Sequence, residues 1–297
     1  MLIRRALAAA AVLPLAVALV ACAPESDDDS STAKDPATSG GSSASAEACA
    51  PDSLPLRTAG QLTVGTDSPA YDPWFSDNDP ANGKGFESAV TYAVAEQLGF
   101  SADQVKWVKV PFNKSYAPGP KDFDFDINQI SITPERAEVV DFSDGYYSAA
   151  QAVVALEGTK GAEAASLDDL KGLRLGAQTG TTSLTAIRDV IQPESDPAVF
   201  EDTNAAKSAL QNDQVDAILA DLPTAFIISA VEIPKSVILG QFQPETGEQE
   251  QFGMLFEKGS GLVDCVNQAL AALREDGTLE SIETEWLSDT VGVPELQ

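Results

Sequence analysis

Histidine is missing from all 297 residues, and the chain holds only three cysteines and two methionines. The first absence removes the side chain that most often moves protons near neutral pH, so any general acid–base work would fall to carboxylates. With no imidazole, and with cysteines that are few and far apart, no metal site is expected from the usual ligand sets. Positive charge is scarce as well: 18 Lys and Arg stand against 46 Asp and Glu, a formal net charge of −28. Nucleic-acid binding needs a basic stripe, so that class of partner is excluded. The same imbalance mildly disfavours a net-anionic ligand, although screening over about 8 Å blunts long-range repulsion. Its main effect is solubility. No Gly-x-Ser-x-Gly nucleophile elbow and no internal repeat of about 20–50 residues occurs. Beyond the N-terminal run, no stretch is apolar for long enough to span a bilayer.

What is present begins with Arg4-Arg5 and an apolar run over 6–21. A basic start, an apolar run shorter than the ~18 residues of a span, and small residues before a cut site describe an export signal over 1–21. Leu19-Val20-Ala21-Cys22 resembles the bacterial lipobox, in which the cysteine is lipidated and becomes the new N-terminus. Ordinary cleavage beside an incidental cysteine is the alternative. Residues 22–53 are Ser, Ala, Asp, Pro and Gly with almost no large apolar side chain, and read as a flexible tether. The folded part is expected to start near Leu54 and is long enough for one large or two modest domains. With Cys22 lipidated, Cys49 and Cys265 remain in an oxidising compartment, where a bridge would pin the start of the fold to a late helix; two free thiols are the alternative.

From residue 61 strand-like and helix-like pieces alternate. Strands are expected at 62–65, 105–110, 126–130, 173–177, 215–219 and 237–239. Helical spacing appears at 88–98, stopped by Gly99, and at 182–191, 205–211, 223–231, 262–273 and 279–287. Such alternation means an α/β fold with mainly parallel sheets.

One short run stands apart: Ser131-Ile132-Thr133-Pro134-Glu135-Arg136. Thr133 followed by Pro134 reads as a helix start, a hydroxyl N-cap and then a proline whose missing N–H costs nothing. Arg136 is then the third helical residue, where the helix dipole favours an acid instead. A bound anion, held by the guanidinium fork and free N–H groups, accounts for it. A surface ion pair with Glu138 or Asp141 is the other account.

Further pieces are Gly65-Thr66-Asp67, Gly85-Phe86-Glu87, Val140-Asp141-Phe142-Ser143, Tyr146-Tyr147, Gly180-Thr181-Thr182, Ala220-Asp221, Asp276-Gly277-Thr278-Leu279 and Trp286-Leu287. In this order and spacing, over roughly 62–287, the chain resembles the bacterial extracellular solute-binding proteins of family 3, amino-acid receptors of ABC importers. The resemblance implies an α/β, two-lobed periplasmic-binding-protein-like fold of type II. Two mainly parallel sheets would be joined by two crossover strands, with lobe 1 formed by 54–149 and 251–297 and lobe 2 by 150–250. It also implies an amino-acid ligand clamped between the lobes, an ABC permease and its ATPase as partners, attachment to the outer face of the cell membrane through lipid, a monomer, and no cofactor.

An α-amino acid zwitterion needs a cation and an anion. By the resemblance, Arg136 takes the ligand carboxylate, bidentate and orientation-specific. Ser131 and Thr182 add hydroxyls, each with a simple helix cap as the alternative. Asp221 follows an expected strand, beyond whose C-terminal end α/β sheets place ligands. The resemblance gives it the ammonium; a loop or cap aspartate is the alternative. Tyr71, Trp74 and Phe112 fall at aromatic positions of the family, with burial in the core as the competing account of Trp74 and Phe112. Asp67 and Gln129 would meet the ligand side chain. The 67–71 spacing is one residue longer than the common pattern, and Asn128-Gln129 replaces smaller residues. These amides and Asp67 point to a polar or basic amino acid such as glutamine or arginine. Two other classes remain: a sensor module for a membrane signalling partner, and a dehydratase-like enzyme on the same fold.

Overall fold

The computed structural model describes residues 49–243, 250–287 and 292–297. The expected export signal, Cys22 and the tether up to residue 48 lie outside the described residues. The first sheet starts with three parallel strands, β1 (Leu62–Thr66), β2 (Val105–Lys109) and β3 (Phe125–Asp126), and β4 (Val140–Phe142) forms its far edge. The chain leaves through β5 (Tyr147–Ala149) into a second sheet of β6 (Gln151–Leu156), β7 (Leu175–Gln178), β8 (Ala198–Phe200), β9 (Ala217–Asp221) and β10 (Ser236–Phe242). It returns through β11 (Glu250–Phe252), paired antiparallel with β5, and β12 (Leu255–Glu257) inserts between β3 and β4. The β5–β11 ribbon is the expected pair of crossover strands.

The strand orders are β2-β1-β3-β12-β4 and β10-β6-β9-β7-β8. In each sheet four strands run one way and one runs against them, β12 in the first and β6 in the second. Each reversed strand comes directly after a crossover, because the chain enters the new lobe from the hinge side. β6, Gln151-Ala-Val-Val-Ala-Leu156, is apolar almost throughout, as a strand covered on both faces must be. Val153 and Ala155 face one apolar cluster with Leu175 and Ile187, and Ala152 and Val154 face another with Ile218 and Ile228.

The helices are α1 (Phe86–Gln97), α2 (Phe112–Ser115), α3 (Pro134–Ala137), α4 (Leu167–Leu170), α5 (Thr182–Ala186), α6 (Thr203–Gln211), α7 (Leu222–Ile227), α8 (Val263–Glu275) and α9 (Thr278–Leu287). α1 lacks a side-chain cap. The carbonyls of Pro73 and Trp74 instead accept from the N–H groups of Phe86, Glu87 and Ser88, satisfying donors that a helix start leaves open. Gly85 is required there: its φ is 93°, and a Cβ would press on the backbone of Trp74 and Phe75. The expected helices at 182–191 and 223–231 each end in a wider turn, over Ile187–Ile191 and Ile228–Glu232. No helix among the described residues is long and apolar enough to cross a membrane.

Two expected boundaries are corrected. Cys49 is bonded to Cys265 on α8, and Pro51–Ser53 forms a short turn of 3-10 helix, so ordered chain begins before Leu54. At the other end, 292–297 leave the first lobe and join the second sheet. Gln241 N donates to Pro294 O and Leu296 N to Gln241 O, both at 2.8 Å, and Leu296 is 5% exposed within the second lobe's core. The reason is apolar burial: Gly240 leaves the space that the Leu296 side chain fills.

Candidate functional site

Between the strand ends of the two lobes lies a cavity of about 300 Å³. Of the residues singled out from sequence, Asp67, Tyr71, Phe112, Gln129 and Ser131 line it from the first lobe, and Thr182 and Asp221 from the second. Arg136 and Trp74 are not among the lining residues.

Local structure explains why several of these side chains face the cavity. At α5 the N-cap is Thr181, whose hydroxyl accepts from Leu184 N at 3.2 Å. Thr182 is therefore not the cap, and its Oγ1 lies 3.3 Å from Ser131 Oγ across the cleft. Thr133, not Ser131, caps α3, as the sequence predicts. Asp221 is the N-cap residue of α7, yet its carboxylate makes no cap hydrogen bond. Instead Gln151 Nε2 donates to Asp221 Oδ1 at 2.8 Å and to Glu250 Oε2 at 3.1 Å. One amide thus bridges two carboxylates, and Ser183 Oγ fixes its orientation by donating to Gln151 Oε1 at 2.5 Å.

Arg136 is 8% exposed. Its Nη1 donates to Ser131 O at 2.7 Å in its own lobe, and its Nη2 to Gly180 O at 2.9 Å in the other. The guanidinium lies 4.6 Å from the Tyr116 ring centroid and 5.6 Å from that of Phe112, within cation–π range. Neither expected surface ion pair forms, since Asp141 is 2.9 Å from Lys258 instead. Burial lowers the Arg136 pKa, an effect opposed by Tyr116, Glu250 and Asp221. Gly180, at φ 76°, admits the close approach: a Cβ there would collide with Asn113 Oδ1 and the Tyr116 hydroxyl.

Trp74 corrects a simple expectation. Its ring is fully buried and packs edge-on against Phe86, Tyr147 and Phe252, so it belongs to the first lobe's core instead of the cavity wall. Its indole N–H nevertheless donates to Thr224 Oγ1 of the second lobe at 2.8 Å. Tyr71 lies under Lys207 Nζ, 5.3 Å from its ring centroid, adding a further contact between lobes. Together with Ser131–Thr182 and Arg136–Gly180, these contacts hold the two lobes closed on one another.

The electrostatics are uneven. Burial pushes the Asp221 carboxyl well above its usual range, and the neighbouring Glu250 raises it further, while the Gln151 amide pulls the other way. Glu250 Oε1 is buried with no hydrogen-bond partner. A cation entering beside this pair would relieve the repulsion and the missing bond together. Asp67 is engaged locally, accepting from Ser68 N at 2.6 Å and Phe112 N at 3.0 Å. Gln129 is tied to Glu87 through both its backbone N–H and its side-chain amide, the backbone contact at 2.6 Å. Asn128 lines the cavity too, with its amide nitrogen buried and unpartnered.

Gln151, Glu250 and Tyr116 were not singled out from sequence. Only Gln151 carries a usable signal, a lone amide opening an apolar strand. Glu250 meets the Gln151 amide from 99 residues further along the chain, which no local pattern reveals.

Two α/β lobes joined by an antiparallel ribbon, with a polar cavity where their strand ends meet, define a two-lobed solute-binding protein of type II. The chain belongs to the bacterial extracellular solute-binding proteins, family 3, which it matches over residues 62–289. It is similar to the L-cystine-binding protein TcyA of Bacillus subtilis, 30% identical over 293 residues that cover 97% of this chain and 99% of that protein. It is also similar to the L-cystine-binding protein TcyJ of Escherichia coli, 27% identical over 80% of this chain and 86% of that one. Among solved structures, an ancestral arginine-binding protein bound to glutamine is 30% identical, with a TM-score of 0.65 over 77% of this chain and 99% of its own.

Proposed function

We propose that this chain is a lipid-anchored extracytoplasmic receptor that binds an α-amino acid between its lobes and delivers it to an ABC importer. The observation that carries the reading is one cavity lined by Asp221, Ser131 and Thr182, with Glu250 and Arg136 set just behind that wall. The Asp221–Glu250 pair offers an ammonium two carboxylates, and Arg136, with Ser131 and Thr182 nearby, offers a carboxylate a guanidinium and two hydroxyls. Because the two charge centres are shared between lobes, a zwitterion gains its full set of contacts only in the closed form and stabilises it. Motion, not bond making, is then the mechanism. One chain supplies both walls, so a monomer suffices. Lobe 1 is drawn as 49–149 with 251–287, and lobe 2 as 150–250 with the tail 292–297. The ligand is polar or basic, which accords with relatives that bind cystine and arginine. Cys22 carries the lipid.

Calorimetric titration of the purified protein with each of the common amino acids and with cystine tests the reading, and heat from none of them would overturn it. Labelling with palmitate tests the anchor, and absence of label on Cys22 would remove it. Asp221→Asn should weaken the best amino acid by about 10- to 100-fold, the worth of a charge-assisted hydrogen bond of roughly 1.5–3 kcal/mol. The same substitution should leave an analogue without the ammonium group unaffected. Equal losses for both ligands would take the ammonium away from Asp221.

A further inference from the structure

Behind the Gln129 wall lies a carboxylate that the reading above does not use. Glu87, in the first turn of α1, is 0% exposed. Its Oε1 accepts from Gln129 N at 2.6 Å and from the Tyr146 hydroxyl, and its Oε2 accepts from Gln129 Nε2. These three donors belong to two pieces of chain with different tasks. Gln129 lines the cavity and holds a left-handed φ of 48°, a conformation costly for a residue with a Cβ. Tyr146 immediately precedes β5, and its N–H donates to Phe252 O of β11 at 2.8 Å, so it belongs to the interlobe ribbon. One buried carboxylate therefore joins the cavity wall to the hinge.

The titratable groups that face Glu87 are Tyr146, Asp126 and Asp221. Asp126, on β3, is fully buried with both carboxylate oxygens unpartnered, and after burial itself Glu87 is the largest cause of its raised pKa. Lys121 offsets this only as the last of the causes at Asp126. Asp221 also feels Glu87 as a like charge. Burial pushes Glu87 itself up to about 7, against the pull of its Tyr146 and Gln129 hydrogen bonds. A chain without histidine thus contains a group poised near neutral pH.

We propose that Glu87 is the positioning residue of the cleft, tying the Gln129 wall to the hinge, and that capture of an amino acid is linked to loss of its proton. The proposal rests on the reading above in placing the ligand in the cavity that Gln129 lines. A ligand packed on that wall favours its ordered form, and so the ionised Glu87 that holds Gln129 by both its backbone N–H and its side-chain amide. Ionised Glu87 is also the form that accepts from all three donors at once. Affinity therefore rises with pH through the titration of Glu87, and a proton leaves as ligand enters. In the free protein the sign is opposite for stability. A carboxyl raised in the folded state binds more protons there than when unfolded, so its contribution is lost as pH climbs from about 4.5 through about 7.

The test is calorimetry on the full protein with an amino acid that binds, in buffers of different ionisation enthalpy from pH 6 to 8. The native protein should release a fraction of a proton near pH 7 and bind about three- to tenfold more tightly at pH 8 than at pH 6, a shift of up to one unit being tenfold. E87Q, similar in shape and unable to ionise, should abolish the release and flatten the profile. Y146F removes a donor from the carboxylate and should move the titration to higher pH; if E87Q does not fold, an unmoved titration in Y146F overturns the proposal. A flat native profile, or proton release that survives in E87Q, overturns it as well, the second result assigning the proton to Asp221 or Asp126. Failure of every amino acid to bind would bring down the receptor reading and this one with it, whereas binding with a flat profile defeats this one alone.

Discussion

Arg136→Ala weakens amino-acid binding by about 100-fold or more in a calorimetric titration. A guanidinium has five N–H donors, and two of those on Arg136 are engaged by Ser131 O and Gly180 O. The guanidinium lies in a nearly buried site against the Tyr116 and Phe112 rings, behind the Ser131 that lines the cavity, and its other N–H groups are shared between the Tyr116 hydroxyl and a ligand carboxylate. Truncation leaves that carboxylate buried without its cation, a cost of roughly 2–5 kcal/mol. It also removes the Nη2 bond to Gly180, one of the contacts between lobes, so the closed form loses support even before ligand enters. Arg136→Lys separates the two effects. A single ammonium keeps the charge but not the fork, so it should recover only part of the loss. Unchanged affinity in Arg136→Ala would remove the residue from the site.

Much of this site was legible because its parts are local. The Thr133–Pro134 helix start and the exceptional arginine two residues beyond lie within one short run, and the structure places the cap where the run predicts it. Asp221 was legible from its place after an apolar strand that ends at a proline-led helix. Of the two accounts of Trp74 the structure shows the core one: the ring is buried away from the cavity, and its indole N–H crosses to Thr224. A single polar atom on a large apolar body leaves no pattern to distinguish those cases. β6 was not expected, because its nearly unbroken apolar run shows no alternation, and neither were β4, β5, β8, β11 and β12, of three residues each. Strands so short carry too little alternation to read, and β5 and β11 exist as a ribbon only because segments distant in sequence pair at the hinge. The tail that returns to the second lobe is likewise set by a space left at Gly240, a property of the folded surface and not of the tail's own residues.

Replacing both Cys49 and Cys265 by serine lowers the melting temperature by about 5–15 °C, while the affinity for amino acid at 25 °C stays within about twofold. The bond joins Cys49 to α8 across a sequence separation of 216 residues. A loop of that length encloses the second lobe apart from its tail, and most of the first, so the cross-link removes much of the freedom an unfolded chain would regain. Loss of such a bond costs typically 2–5 kcal/mol. In a chain of this size each kcal/mol moves the midpoint by roughly 2–4 °C. Cys265 lies on α8 within the first lobe's core and neither cysteine lines the cavity, so the cleft keeps its geometry. Alkylation before and after reduction, read by mass spectrometry, should first find both thiols protected in the native protein. If the lobes unfold in separate transitions, both anchor points belong to the first lobe's core, so its transition should carry the shift. A melting profile unchanged by the double replacement would mean that the N-terminal segment is held by its packing alone, with the bond adding nothing to the fold.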